Sequence, residues 1–255
     1  MNRTLPPAGS IADLTVEQRL AAAAATPSTF IEAGPGTGKT TVSAHRFGVQ
    51  RFAASQRHDP RAVVAVSFTR AATYNLRRRV QRLWGTGAMT WPHRTVTLDT
   101  IMSDLVHDLL QQQLITWPNA TTVWPDGNIR LDVYDSWSAL IGQVWSRTIY
   151  TVSLAAGQVT FTRTYATESK SRPPINKLLP LTRKGMCTHE DIRAVLDRAL
   201  TDPNLAARVR QRLADTLRAL IVDEVFDAND LDIAVIELAI NAGIQVTLVG
   251  DDAAR

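Results

Sequence analysis

The stretch "EAGPGTGKTT", residues 32–41, decides how the rest of the chain is read. Ala33, four residues and then Gly38-Lys39-Thr40 fit the phosphate-loop pattern, with alanine where glycine often stands first. Gly34, Gly36 and Gly38 let backbone N–H groups turn inward around phosphate oxygens. A helix starting near Thr40 adds its positive amino-terminal end. Lys39 is placed to reach the β- and γ-phosphates, and Thr40 to hold Mg²⁺. The nucleotide-binding set read here is Ala33, Gly34, Pro35, Gly36, Thr37, Gly38, Lys39, Thr40 and Thr41, with ATP and Mg²⁺ as ligands. The context such a loop demands is present. "STFIEAG" (28–34) reads as a buried strand before it, and a helix runs from about Thr40 to Ala53 after it.

Working outward, "AVVAVSF" (62–68), "TVTL" (95–98), "ALIVDE" (219–224) and "IQVTLVGD" (244–251) read as further strands. Helical patterns lie between and before them, at 15–25, 71–84, 100–114, 189–200, 203–217 and 228–243. Strands alternating with helices predict an α/β fold, a mostly parallel sheet with helices on both faces. The middle stretch is richer in Trp, Thr and Pro. There "DVYDSWSALIGQVWSR" (132–147) reads as a helix, and "ESKSRPPINK" (168–177) as an exposed basic loop. The predicted division is a flexible arm at 1–13, an α/β domain formed by 14–115 and 185–255, and a mainly helical insert at 116–184.

A phosphate loop needs a second strand that carries an acid to the metal. "LIVDEVFD" supplies Asp223 and Glu224 after four apolar residues. Asp223 is the Mg²⁺ candidate, and Glu224 the base for the attacking water.

Bulk properties agree with a soluble chain. Of 255 residues, 45% are hydrophobic and 20% charged, with a net charge of +4, so a packed core is affordable. The single cysteine, Cys187, excludes an internal disulfide framework. "MNRTLPPAGS" lacks the apolar core of a signal peptide, and no run approaches the roughly 18 residues of a membrane span. A cytoplasmic protein with no membrane partner is expected. His45 and His189 show no metal-ligand spacing.

Longer motifs surround this frame. "LTVEQRLAA", "AHRFGVQRF", "AVSFTRAATYNLRRRVQRL", "TVTLDTIMSDLV" and the run from Met186 into Asp223-Glu224 together resemble the first RecA-like domain of superfamily 1 helicases of the UvrD/Rep/PcrA type. The resemblance covers about 1–110 and 185–255. It implies a RecA-like P-loop NTPase and a 1B-like insert. It implies that Gln18 contacts the adenine edge, that Phe68, Thr69 and Arg70 lie against single-stranded DNA, and that Thr97 is near it. Single-stranded DNA or a single-strand/duplex junction is the partner so implied. The residues alone leave Phe68 open between core and DNA, and Arg77–Arg79 read most simply as a solvated helix face. Lys170, Arg172 and Lys177 read as solvated loop cations, and Trp117, Trp124, Trp137 and Trp145 as core.

There are departures from the family pattern. Phe226 stands where glutamine is usual, and Asp99-Thr100 where His-Ser is usual. "TLVGDDAAR" resembles the start of motif III, with Ala254 near the position of its glutamine. On this reading the chain is a fragment whose second motor domain, with its arginine finger, would have to act in trans. Such a finger contributes about 10³–10⁵-fold in rate where it is used, so weak ATP binding, slow turnover and no unwinding are expected of the chain alone. Two other readings stand beside this one: a different P-loop enzyme such as a kinase, and a non-catalytic remnant that binds nucleotide or nucleic acid.

Overall fold

The computed structural model describes residues 14–34, 36–53, 58–118 and 130–251. The arm at 1–13, Pro35, Trp124 and Ala254 lie outside the described residues. Contacts divide the chain into two compact units, one of residues 1–98 with 210–255 and one of residues 99–209.

The first unit is built on five strands: β1 (Ser28–Glu32), β2 (Ala62–Ser67), β3 (Arg94–Thr97), β8 (Leu217–Asp223) and β9 (Gln245–Gly250). Their order is β1-β9-β8-β2-β3, and every pairing is parallel. The expected parallel α/β sheet is therefore present. All of β2 and β8 is buried, so both faces are covered at the centre of the sheet. That burial is why these strands read as unbroken apolar runs rather than alternating ones. From β2 the chain moves outward to β3, and from β8 it moves the other way to β9. Connections diverging from two adjacent strands open a crevice at their carboxyl ends, where α/β folds hold ligands.

Helices α1 (Val16–Ala23), α2 (Lys39–Phe52), α3 (Arg70–Trp84) and α9 (Asp230–Asn241) belong to this unit. Thr15 caps α1 in a reciprocal box with Gln18, and Asn229 caps α9 in the same way with Asp232. Ala44 and Phe47 of α2 and Leu76 and Val80 of α3 pack on Val63, Ala65, Ala219 and Ile221. Trp84 lies directly on Gly48, where an added Cβ would come within 1.9 Å of the ring. Arg46 is fully buried. It donates to Thr247 Oγ1 at 3.0 Å and to the carbonyls of Ala22 and Ala24, so it satisfies the carboxyl end of α1.

The second unit contains most of α4 (Leu98–Gln111), followed by β4 (Asp132–Tyr134), α5 (Trp137–Ile141), β5 (Val144–Ala155), β6 (Gln158–Arg172), α6 (Ile175–Thr182), β7 (Met186–Thr188) and α7 (His189–Leu200). The unit boundary falls inside α8 (Pro203–Thr216). The expectation of a mainly helical insert is corrected here. Between 130 and 184 the dominant structure is the antiparallel hairpin β5–β6, and α5 and α6 are short. The helix expected at 132–147 ends at Gly142, whose φ is +78°, and the threonine- and valine-rich run after it is extended. Ala156 and Gly157, at φ 48° and 73°, form the two-residue turn that matches strand twist. The basic loop expected at 168–177 is likewise replaced, by the end of β6 and the start of α6. Trp117 and Trp137 are buried and donate to Thr182 O and Asp191 Oδ2, but Trp145 is 77% exposed and is not core.

Candidate functional site

All five parallel strands of the first unit end on one edge, and each delivers candidate residues there. β1 leads into the phosphate loop. Gly36 and Gly38 take φ of 76° and 88°, backbone that only glycine adopts without strain. Gly38 is the amino-terminal boundary of α2, so Lys39, Thr40 and Thr41 form its first turn. The loop is braced from within, since Thr37 Oγ1 donates to Gly34 O at 2.7 Å. It is braced from without by Gln18, whose Nε2 donates to Thr37 O at 2.7 Å. Gln18 Oε1 accepts from Thr15 N at 2.9 Å. In this structure the Gln18 amide ties α1 to the loop. Ala33 is fixed at the sheet edge by donation of its N–H to Gly250 O at 3.2 Å.

β8 delivers the acids. Asp223 is buried and accepts from Ser43 Oγ at 2.7 Å and from the Thr40 hydroxyl. Burial pushes its carboxyl above the usual carboxylate range, opposed by those hydrogen bonds and by Lys39 and Arg79. Glu224 follows in the left-handed region, at φ 61° and ψ 51°. Its Oε1 lies 4.0 Å from Lys39 Nζ. Its pKa is also raised, by desolvation first, against the pull of Lys39 and with help from Asp223, Asp251 and Asp227. Lys39 is itself buried and pairs directly with Asp251, which follows β9.

β2 and β3 deliver the other candidates. Phe68 is half-buried, while Thr69 and Arg70 are exposed. Thr69 also caps α3, accepting from Ala72 N at 3.1 Å. Thr97 is half-buried at the end of β3. On α3, Arg77 and Arg78 are exposed, and Arg78 lies 5.8 Å over the Tyr74 ring. Arg79 does not share that solvated face, because it donates to Thr41 Oγ1.

Three participants were missed by the sequence reading. Ser43 lies one helical turn after Lys39 and Thr40, so periodicity alone places it on their face of α2. Arg79 is three residues after buried Leu76, which turns it inward while its neighbours point out. Asp251 had no periodic signal, because its position depends on β9 lying beside both β1 and β8.

The donor set suits Mg²⁺. One carboxylate, Asp223, and the Thr40 hydroxyl meet beside a glycine-lined helix start, and Mg²⁺ is commonly held by one or two carboxylates plus substrate phosphates. Among the described residues no three His, Cys, Asp or Glu side chains gather into a cage that would hold a metal without such phosphates. No helix among them is long and apolar enough to cross a membrane.

Phe226, the departure beside the acidic pair, is 59% exposed, and its ring meets Phe30 edge-on at 6.2 Å. It also lies over Gly250, where an added Cβ would come within 2.6 Å of it. Asp99, the other departure, accepts from Arg193 Nε at 2.6 Å.

Residues 14–129 match the UvrD/REP helicase N-terminal domain. DNA helicase II of Salmonella typhimurium (strain LT2) is 24% identical over 275 aligned positions, which cover 94% of this chain and 33% of that protein. The chain thus spans about a third of the length of the curated relative it matches. Residues 14–129, a little under half of the chain, are thus similar to the UvrD/REP helicase N-terminal domain family.

Proposed function

We propose that the chain provides the ATP-binding motor domain of an ATP-dependent DNA helicase, coupling ATP hydrolysis to movement on single-stranded DNA. The observation that carries this reading is the meeting of Lys39 and Thr40 with Asp223 and Glu224 at one edge of a parallel sheet. In this reading 14–115 and 185–255 form the motor domain, and 116–184 a 1B-like insert. The backbone of Gly34–Thr41 and the start of α2 bind the triphosphate. Lys39 leaves Asp251 for the β- and γ-phosphates, and Gln18 faces the adenine edge. The Thr40 hydroxyl and Asp223 hold Mg²⁺, which when bound neutralises charge on the phosphates. Glu224 takes the proton of the attacking water. Its raised pKa makes it a better acceptor than an ordinary surface carboxylate, provided it is ionised. Phe68, Thr69, Arg70 and Thr97 contact the single strand. A second motor domain, in cis or in trans, completes the transition-state charge.

The test is steady-state ATP turnover with and without single-stranded DNA, in the native chain, Lys39→Ala and Glu224→Gln. DNA-stimulated turnover is expected in the native chain, with a loss of about 10²-fold or more in each variant. The acid limb of the rate should lie above the ordinary carboxylate range, because protonation of Glu224 removes the base. Phe226 favours a second reading, a nucleotide-binding domain without turnover. Binding of a fluorescent ATP analogue with no hydrolysis, even with DNA and a second motor domain supplied, would select it.

A further inference from the structure

Helix α2 packs on the sheet through Ala44 and Phe47, yet it also buries a polar stripe. Lys39, Ser43 and Arg46 stand at helical spacing, and all three are buried. Burial of such side chains is unfavourable unless each meets a partner. Lys39 pairs with Asp251, and Arg46 bonds Thr247 and the carboxyl end of α1. Ser43 sits between them with a different acceptor. Its hydroxyl donates to Asp223 Oδ1 at 2.7 Å, with Ser43 0% and Asp223 1% exposed.

Nothing in the helix itself asks for this bond. A serine inside a helix can satisfy its hydroxyl on the carbonyl one turn back, without an outside partner. Alanine at the same place would favour the helix and bury no polar group. The hydroxyl of Ser43 instead reaches across to β8, to the one carboxylate that the Thr40 hydroxyl also touches.

What Ser43 supplies there is direction. Lys39 and Arg79 also favour the charged form of Asp223. Coulomb attraction holds a charge near, but it does not fix which way a carboxylate faces. A short hydrogen bond to an ionised acceptor does. Thr40 is itself a metal-ligand candidate, so its hydroxyl serves the carboxylate and the metal together. The single O–H of Ser43 is committed to Oδ1.

We propose that Ser43 is a positioning residue for the metal. By holding Oδ1 it fixes the plane of the Asp223 carboxylate, and so sets how tightly and how selectively the site takes Mg²⁺ together with a nucleotide. The glycine loop and Lys39 bind phosphates without it. Mg²⁺ demands near-ideal octahedral geometry, whereas Ca²⁺ accepts flexible geometry. A carboxylate free to turn therefore costs Mg²⁺ more than it costs Ca²⁺. The inference rests on the reading of Asp223 as the Mg²⁺ residue.

The test uses the whole chain and a fluorescent ATP analogue, whose anisotropy is followed in Mg²⁺, in Ca²⁺ and in EDTA. Ser43→Ala should raise the Mg²⁺ concentration at half-saturation about 10–100-fold. It should move the Ca²⁺ midpoint less and leave the affinity in EDTA native. Ser43→Cys fills the space but donates weakly, so it should follow Ser43→Ala, which separates the lost bond from a cavity. An equal loss of affinity in EDTA and with either cation would make Ser43 a support of the loop alone, and overturns the proposal. Native Mg²⁺ dependence in both Ser43 variants, with a shift in Asp223→Asn, also overturns it and leaves the metal role of Asp223 standing. Native Mg²⁺ dependence in Asp223→Asn as well, or no analogue bound by the native chain, overturns both.

Discussion

Glu224 adopts a left-handed backbone that side chains with a Cβ rarely take, at a cost of about 1–3 kcal/mol. Glycine would relieve the strain but would remove the carboxylate that faces Lys39. The strain accompanies a carboxylate placed 4.0 Å from a buried ammonium, so stability is traded there for position. A different residue adds to acid sensitivity. His93 is buried and accepts from Val63 N at Nδ1, 2.9 Å away, and burial lowers its pKa from 6.5 to about 4. The unfolded chain therefore binds a proton between those values that the folded chain does not. The His93 contribution to stability is complete above the unfolded pKa, falls as pH drops from 6.5 toward 4, and is flat below that. Urea unfolding of the native chain and His93→Gln across this range should show a steeper acid loss in the native chain. Identical slopes would refute the assignment. At this scale the sequence was legible where a residue type carries chemistry in order along the chain, as Lys39, Thr40, Asp223 and Glu224 do. It was silent on Asp251 and on the Gln18–Thr37 brace, because those depend on which strands and helices become neighbours.

Elements were read well where burial has one dominant direction. The runs at 62–68 and 219–224 lie between two covered faces and carry no polar alternation to confuse them. The β5–β6 hairpin was misread for a physical reason. One of its faces is core only near the turn, so its hydrophobic pattern fades halfway along, and the short α5 sits at the start of the same stretch. Gly48 makes a sharper statement about α2. Helix propensity alone favours alanine there by about 1 kcal/mol. The Trp84 ring occupies the space a Cβ needs, at 1.9 Å, and Trp84 Nε1 is held by Ala44 O at 3.0 Å, so the ring cannot retreat without losing that bond. Overpacking of this kind costs about 1–3 kcal/mol, so Gly48→Ala should destabilise the fold on balance. A midpoint of denaturant unfolding at or above that of the native chain would show that the ring moves freely.

At the scale of the first unit, the candidate nucleotide residues lie along one edge of the sheet, brought there by β1, β8 and β9. Ligand binding at such an edge should stabilise the folded state by mass action. Mg-ATP should raise the thermal midpoint of the chain, EDTA should remove most of that rise, and Lys39→Ala should abolish it. An equal rise in Lys39→Ala would place the ligand elsewhere. The net charge of +4 gave little guidance to a nucleic-acid partner, because it is modest for the whole chain.

The order of the sheet also sets a schedule for synthesis. β1, which carries the phosphate loop, lies at an edge and has only β9 as a neighbour, and Ser28 pairs with Val246 more than two hundred residues later. At 5–20 residues per second on the ribosome, β1 waits about 10–40 s for its partner. During that wait its loop is complete in sequence but has no sheet edge to hold it, and Phe30 has neither Leu248 beside it nor Phe226 against it. A growing chain that stalled before β9 would contain every residue of the phosphate loop and still lack the strand beside which that loop is set.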